Sequence, residues 1–174
     1  MAICNELDAG ISKTCDNNTG GIKKLYLAEL ENISSITHGS PLDTITAISM
    51  VATKKFYEFV FNKNTSTFTE VTTGDQAVGS EVCTQTITLV LNRREQAKRD
   101  VLLKLGKFKD LAAIVLDSND KYWLLGETEG VNLTEKNSEN GTVKTDRNGY
   151  TLTFVGEESE DASEVDSIII AALL

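Results

Sequence analysis

The stretch 81–91 constrains the fold more than any other part of the chain. Ile87, Leu89 and Leu91 alternate with Thr84, Thr86 and Thr88. A period of two puts the apolar residues on one face of a strand, whereas a helix would scatter them around its circumference. A strand with one apolar face needs a second layer to cover it. The rest of the chain has the same leaning. Threonine recurs throughout, and proline occurs once, at Pro41. β-Branched residues lose rotamer freedom in helices and suit a pleated surface. With 174 residues, the chain has the length of one domain, and roughly 70% of its unfolded surface is lost on folding, enough for a core without staples.

Strands are predicted over 22–30, with apolar residues on both faces, and over 44–51. At 54–61, Tyr57, Phe59 and Phe61 point one way and Phe56, Glu58 and Val60 the other. The polar turn at Asn62, Lys63 and Asn64 then leads into a Thr-rich strand over 65–72, so 54–73 reads as a hairpin. A second hairpin joins 111–116 to 122–125 about Asp117, Ser118, Asn119 and Asp120, with Trp123 as an apolar anchor. A short strand is expected at 131–133. Strands at 142–146 and 149–155 flank the tight-turn signal Asp146, Arg147, Asn148 and Gly149, and an apolar strand at 165–171 closes the chain. Residues 31–43, 135–142 and 157–161 read as loops.

One helix is predicted, over about 92–106. Asn92 and Glu95 are spaced as in a capping box, Ala97, Val101, Leu102 and Leu105 make an apolar stripe, and Gly106 follows as a terminator. Its basic face is read as solvated, or as meeting an acidic neighbour. The expected architecture is mainly β: a sandwich or barrel of about nine or ten strands with one flanking amphipathic helix. A polar arm, 1–21, precedes a single β-rich domain, 22–174.

The formal net charge is −9. Holding nucleic acid requires cations against phosphates, so the chain is poorly suited to gripping DNA, although an acidic wall repels DNA and lets it pass. The start of the chain lacks the basic segment and apolar run of an export signal, and 168–174 is too short to span a bilayer. Manufacture in the cytoplasm, with no membrane anchor, is the expectation.

Catalytic and metal signals are weak. His38 is the single histidine and lies in a Ser/Thr/Gly loop without a nucleophile elbow. Cys4, Cys15 and Cys83 lack the paired spacing of a zinc site. Cys83 reads as a buried strand residue, and a Cys4–Cys15 disulfide is disfavoured in a chain without an export signal. The turn at 117–120 lacks the central Gly and distant Glu of a calcium loop. Acidic pairs such as Asp43 with Glu58, or Glu127 with Glu129, suit a glycosidase only if they converge. No catalytic, cofactor-binding or metal-binding residue is assigned, and the chain reads as a non-enzyme.

The order of elements in the C-terminal half is distinctive: the capped helix, then Leu111 through Leu116, Tyr122 through Glu127, Gly130 through Thr134, Gly141 and Thr142, and Asp146 through Glu158. With Gly20, Gly21, Ile22, Lys23, Lys24, Leu25 and Tyr26, it resembles small virion proteins of tailed phages and prophages of Bacteroides-type hosts, over most of 20–172. Within that group the element order resembles that of a tail-tube subunit. The resemblance implies a sandwich flanked by a helix, and homo-oligomeric rings of six subunits joined edge to edge around an inner β-barrel. The rings stack into a tail tube that meets other tail or neck proteins and conducts genomic DNA through an acidic lumen without binding it. On this reading the hairpin 54–73 faces the lumen, and 1–21, 31–43 and 135–149 order against adjacent rings. Capsid decoration or tail completion (a terminator or connector) would give monomers, trimers or one unstacked ring. A receptor- or glycan-binding sandwich would need an exposed aromatic cluster.

Overall fold

The structure, a computed structural model, describes residues 10–40, 43–75, 77–106 and 109–174. It is a two-sheet sandwich. In chain order the elements are β1 (Ile22–Glu29), a 3-10 turn (Leu30–Asn32), β2 (Ile33–His38), β3 (Ile45–Met50), β4 (Tyr57–Phe59), β5 (Thr67–Asp75) and β6 (Ser80–Asn92). Then follow α1 (Gln96–Leu105), β7 (Leu111–Asp117), β8 (Tyr122–Leu125), β9 (Asn132–Glu139), β10 (Gly149–Glu158), β11 (Ser163–Val165) and α2 (Ser167–Leu173). Seven strands form one open sheet in the order β2-β3-β11-β8-β7-β1-β4, and four form the other in the order β5-β6-β10-β9.

The main core lies between the sheets. Ile87, Leu89, Leu152 and Phe154 of the smaller sheet meet Leu25, Leu27, Ala113 and Val115 of the larger. A second core covers the opposite face of the larger sheet: Tyr26, Ala28, Ala112, Ile114 and Leu124 pack with Phe56, Ile170 and Leu173. β1 and β7 are therefore sandwiched on both sides over Leu25–Ala28 and Leu111–Leu116, which is why these stretches are apolar without alternation. Full burial of a side chain such as Ile114 is worth about 2 kcal/mol over leaving it in water.

The mainly β architecture is as expected, with eleven strands among the described residues and two helices in place of one. Several local readings are corrected. The hairpin 54–73 does not form: β4 pairs with β1 in the larger sheet, while β5 pairs with β6 in the smaller. Phe56 is buried and its backbone N–H donates to Leu173 O at 2.9 Å, which draws the segment away from β5. The segment 31–43, expected as a loop, contains β2. The strand expected at 131–133 runs on as β9 through the expected loop to Glu139, whereas 142–146 is a turn. The terminal apolar run is not a strand. Asp166 caps α2, its side chain accepting from Ile168 N, and Ile170 and Leu173 are buried three residues apart.

Asn92 belongs to β6, so no capping box forms. Glu95 holds the cap position of α1 without a side-chain hydrogen bond, and Gly106 ends the helix at an ordinary φ of −77°. Of the expected stripe only Leu102 is buried; Leu105 is half-buried, and Ala97 and Val101 are exposed. Residues 10–21 carry no helix or strand. Their end is pinned to the β7–β8 turn, where Thr19 N–H donates to Asn119 Oδ1 at 2.9 Å. Residues 1–9, including Cys4, and Pro41 lie outside the described residues.

Candidate functional site

The inward face of β6 changes character along its length. Ile87, Leu89 and Leu91 are core, but the same register places Gln85 and Cys83 inward, and both are buried. Buried polar groups require partners. Gln85 Oε1 accepts from Gly126 N at 2.8 Å, and Gln85 Nε2 donates to Glu70 Oε1 at 3.0 Å. Glu70 Oε1 also accepts from Ala162 N at 2.7 Å. Beside them, buried Glu158 accepts three backbone N–H groups on one oxygen: Thr128 at 3.0 Å, Glu129 at 2.9 Å and Gly130 at 3.2 Å. The loop can converge on one atom because Gly126 and Gly130 take positive φ, 68° and 84°, a region glycine enters without steric cost.

This polar end opens into a cavity of about 290 Å³. Its lining includes the carboxylates of Asp43, Glu127, Glu158, Glu160 and Asp161, and a single cation-forming group, His38. His38 Nε2 lies 2.6 Å from Glu127 Oε1, and its Nδ1 lies 3.2 Å from Asp43 Oδ1 and 3.3 Å from Asp43 O. These bonds tie the end of β2 to the 126–130 loop. The hydrogen bond to Glu127 is the largest of the effects that raise the His38 pKa above its ordinary 6.5.

A group whose folded pKa is raised adds stability fully present below the unfolded value and lost as pH rises through the folded value. The urea midpoint of the native chain should therefore fall relative to that of His38→Gln as pH rises from below the ordinary 6.5 through the higher folded value. Parallel midpoints across that range would show that the pair does not contribute.

Glu70, Cys83 and Asp161 place potential ligand atoms within 4.8 Å of one another. Burial pushes the Cys83 thiol up to about 11, so it is protonated at neutral pH and unlike an activated nucleophile. The Thr72 hydroxyl, which donates to Asp161 at 2.7 Å, and then Cys83 hold the Asp161 carboxyl below its ordinary range. The polar cluster thus fixes the 126–130 loop and the 159–162 segment onto β5, β6 and β10.

Of the acidic pairs named from the sequence, Asp43 and Glu58 do not converge. Glu58 stands on β4 at one edge of the larger sheet, 3.0 Å from Lys24 Nζ, while Asp43 sits beside His38 near the other edge. Glu127 pairs with His38, and Glu129 engages Glu158 through its backbone. Trp123 is half-buried and its Nε1 donates to Asp117 Oδ2 at 3.1 Å. Asp117 Oδ1 accepts from Asn119 N and Lys121 N, which makes 117–120 a side-chain-stabilised turn. Sequence reasoning missed Glu70, Gln85, Glu158 and Asp161. The available signal was Gln85, a polar residue in the apolar register of β6.

The smaller sheet presents a different candidate, an interface. Its outer strands, β5 and β9, each have one partner. Neither contains proline. Among the described residues no strand pairs with their outer edges, and unpaired edge donors and acceptors pair with another strand unless blocked. The outward face is threonine-rich: Thr67, Thr88 and Thr153 lie in one cross-strand row, and Thr69, Thr86 and Val155 in the next. Glu135 and Glu157 share this face by register, and Arg147 bonds Glu139 and Thr151 at one end. No helix among the described residues is long and apolar enough to cross a membrane. Compared with models of known protein families, with curated proteins and with solved structures, the chain matches none.

Proposed function

We propose that this chain is a self-assembling structural subunit of a phage virion, a tail-tube-like protein whose copies join edge to edge into stacked rings. The observation that carries this reading is the smaller sheet with two open, proline-free edges. Its four strands alternate in direction, so β5 and β9 run antiparallel to one another. When β9 of one copy meets β5 of the next, the antiparallel ladder continues across the contact. Such a head-to-tail contact is heterologous, and it closes into a ring when the rotation between copies is a whole fraction of a turn.

The threonine face then lines the lumen, replacing the 54–73 hairpin in that role. Hydroxyls keep it wetted, while Glu135, Glu157 and the net charge of −9 repel phosphates passing through. The phage identity, the six-fold ring and the tail and neck partners rest on the sequence resemblance.

Purified protein imaged by negative stain, with its mass measured in solution, should give hollow rings or tubes. Neighbouring residues of β9 direct their N–H groups alternately to β10 and to the free edge. Of Asn137→Pro and Ser138→Pro, one should therefore leave a folded monomer and abolish rings, while the other disrupts the sheet. A native chain that stays monomeric at high concentration overturns the proposal.

A further inference from the structure

A groove of about 530 Å³ lies between β1, β4 and α1. Leu27, Phe59 and Leu105 line its apolar part, beside Tyr57 and Val101, which are 59% and 46% exposed. Lys54, Lys55, Lys104 and Lys109 also line it. Glu29 and Glu58 line it too, but each already has a cation, Lys109 and Lys24 respectively, while Lys54, Lys55 and Lys104 form no ion pair among the described residues. An apolar trough bordered by uncompensated cations, in a chain of net charge −9, fits an acidic partner surface.

The chain carries such a surface on its opposite flank. The cavity whose rim carries the exposed carboxylates of Asp43, Glu160 and Asp161 is lined from β2, β8 and β11, on the far side of the larger sheet from β4. The two surfaces also match the edges of the smaller sheet. β5 is tied to the acidic lip, with Thr72 bonded to Asp161 and Glu70 to Ala162. β9 lies by the groove side: Asn132 Nδ2 donates to Asp110 Oδ1 at 2.8 Å, and Leu133 stands next to Gly106 at the end of α1.

We infer that the lysine groove of one copy receives the acidic lip of the next, so that charge complementarity sets the direction of head-to-tail assembly. This rests on the ring-forming reading above. It adds a side-chain lock, on the flank of the sandwich, to the backbone ladder between β9 and β5.

Charge-swap complementation tests it. The groove variant is Lys54→Glu with Lys55→Glu; the lip variant is Ser159→Lys with Glu160→Lys. All four positions are exposed, so both variants should fold, as checked by circular dichroism and thermal melting. Each variant alone should assemble at least about tenfold more weakly than the native chain, since one charge-reversed side faces an unchanged one. An equimolar mixture should recover assembly, because alternating copies make every interface complementary again.

If the native chain forms rings and both variants form them equally well, the inference fails while the ring-forming reading stands. Loss of assembly in each variant without recovery on mixing also overturns it, since the two surfaces would then not be partners. Salt-sensitive binding of a single-stranded oligonucleotide that the groove variant loses while keeping its rings would make the groove a nucleic-acid site instead. A native chain that never assembles removes both readings.

Discussion

Gly156→Ala is expected to destabilise the fold by about 3 kcal/mol, the upper end of the usual cost of overpacking. A Cβ at this position would stand 2.5 Å from Gly130 O, 2.9 Å from Val131 Cγ1 and 3.1 Å from Val131 Cα. Two of these three atoms are backbone, so no side-chain rotation relieves the overlap. The strand cannot move away easily either, since Gly156 lies between Val155 and Glu157 in an unbroken ladder with β6. The other side is equally constrained, because the Gly130 region is bonded to Glu158 and Val131 pairs with Leu111 at both N–H and C=O. Urea denaturation reads the effect directly. An unchanged midpoint would mean that the 126–131 loop yields, and that its bonding network is softer than its geometry implies.

Glu158→Ala should cost a similar amount, about 3 kcal/mol, by a different route. Three backbone N–H groups converge on Glu158 Oε1, and hydrogen bonds to a charged acceptor contribute more than neutral ones. Removing the carboxylate strands those donors; the one on Gly130 is buried, and a stranded buried donor costs about 1–3 kcal/mol. Glu158→Gln retains an acceptor oxygen and should lose only about 1 kcal/mol. The contrast between the two variants, measured in the same denaturation experiment, separates loss of the acceptor from loss of the charge. Equal losses would show that the charge, not the converging geometry, holds the loop.

What was legible in the sequence was the local pattern. The alternation over 81–91 marked β6, the apolar runs at 22–30 and 111–116 marked the two strands buried on both faces, and the threonines marked a sheet with one face left uncovered. Pairing was far less legible, because it depends on partners distant in the chain. The segments 54–61 and 65–72 are each strand-like and are joined by a turn, so a hairpin was the local solution. Burial of Phe56 beside α2 and pairing of Tyr57–Phe59 with β1 compete with that hairpin and place the two segments in different sheets. At 165–171 a short apolar run satisfies either period. The deciding signal is Asp166, a capping residue directly ahead of it, with its side chain on Ile168 N. The polar cluster was hidden for the same reason as the pairings: Glu70, Gln85, Glu127, Glu158 and Asp161 come together only once both sheets have formed.

The order of the smaller sheet also bears on events during synthesis. β10 is a central strand, paired with β6 on one side and β9 on the other, yet α1, β7, β8 and β9 all come between it and β6 in the chain. Until it leaves the ribosome, the β5–β6 hairpin has an exposed inner edge and β9 has no partner. Unpaired strand edges and long-range pairings both slow folding and invite association with the wrong chain. Each nascent chain must therefore keep the inner edge of β6 free for its own β10 while neighbouring copies offer strands of their own. The interval between translation of β6 and arrival of β10, while α1 and β7 to β9 emerge, is the point at which a nascent chain is most exposed to misassembly.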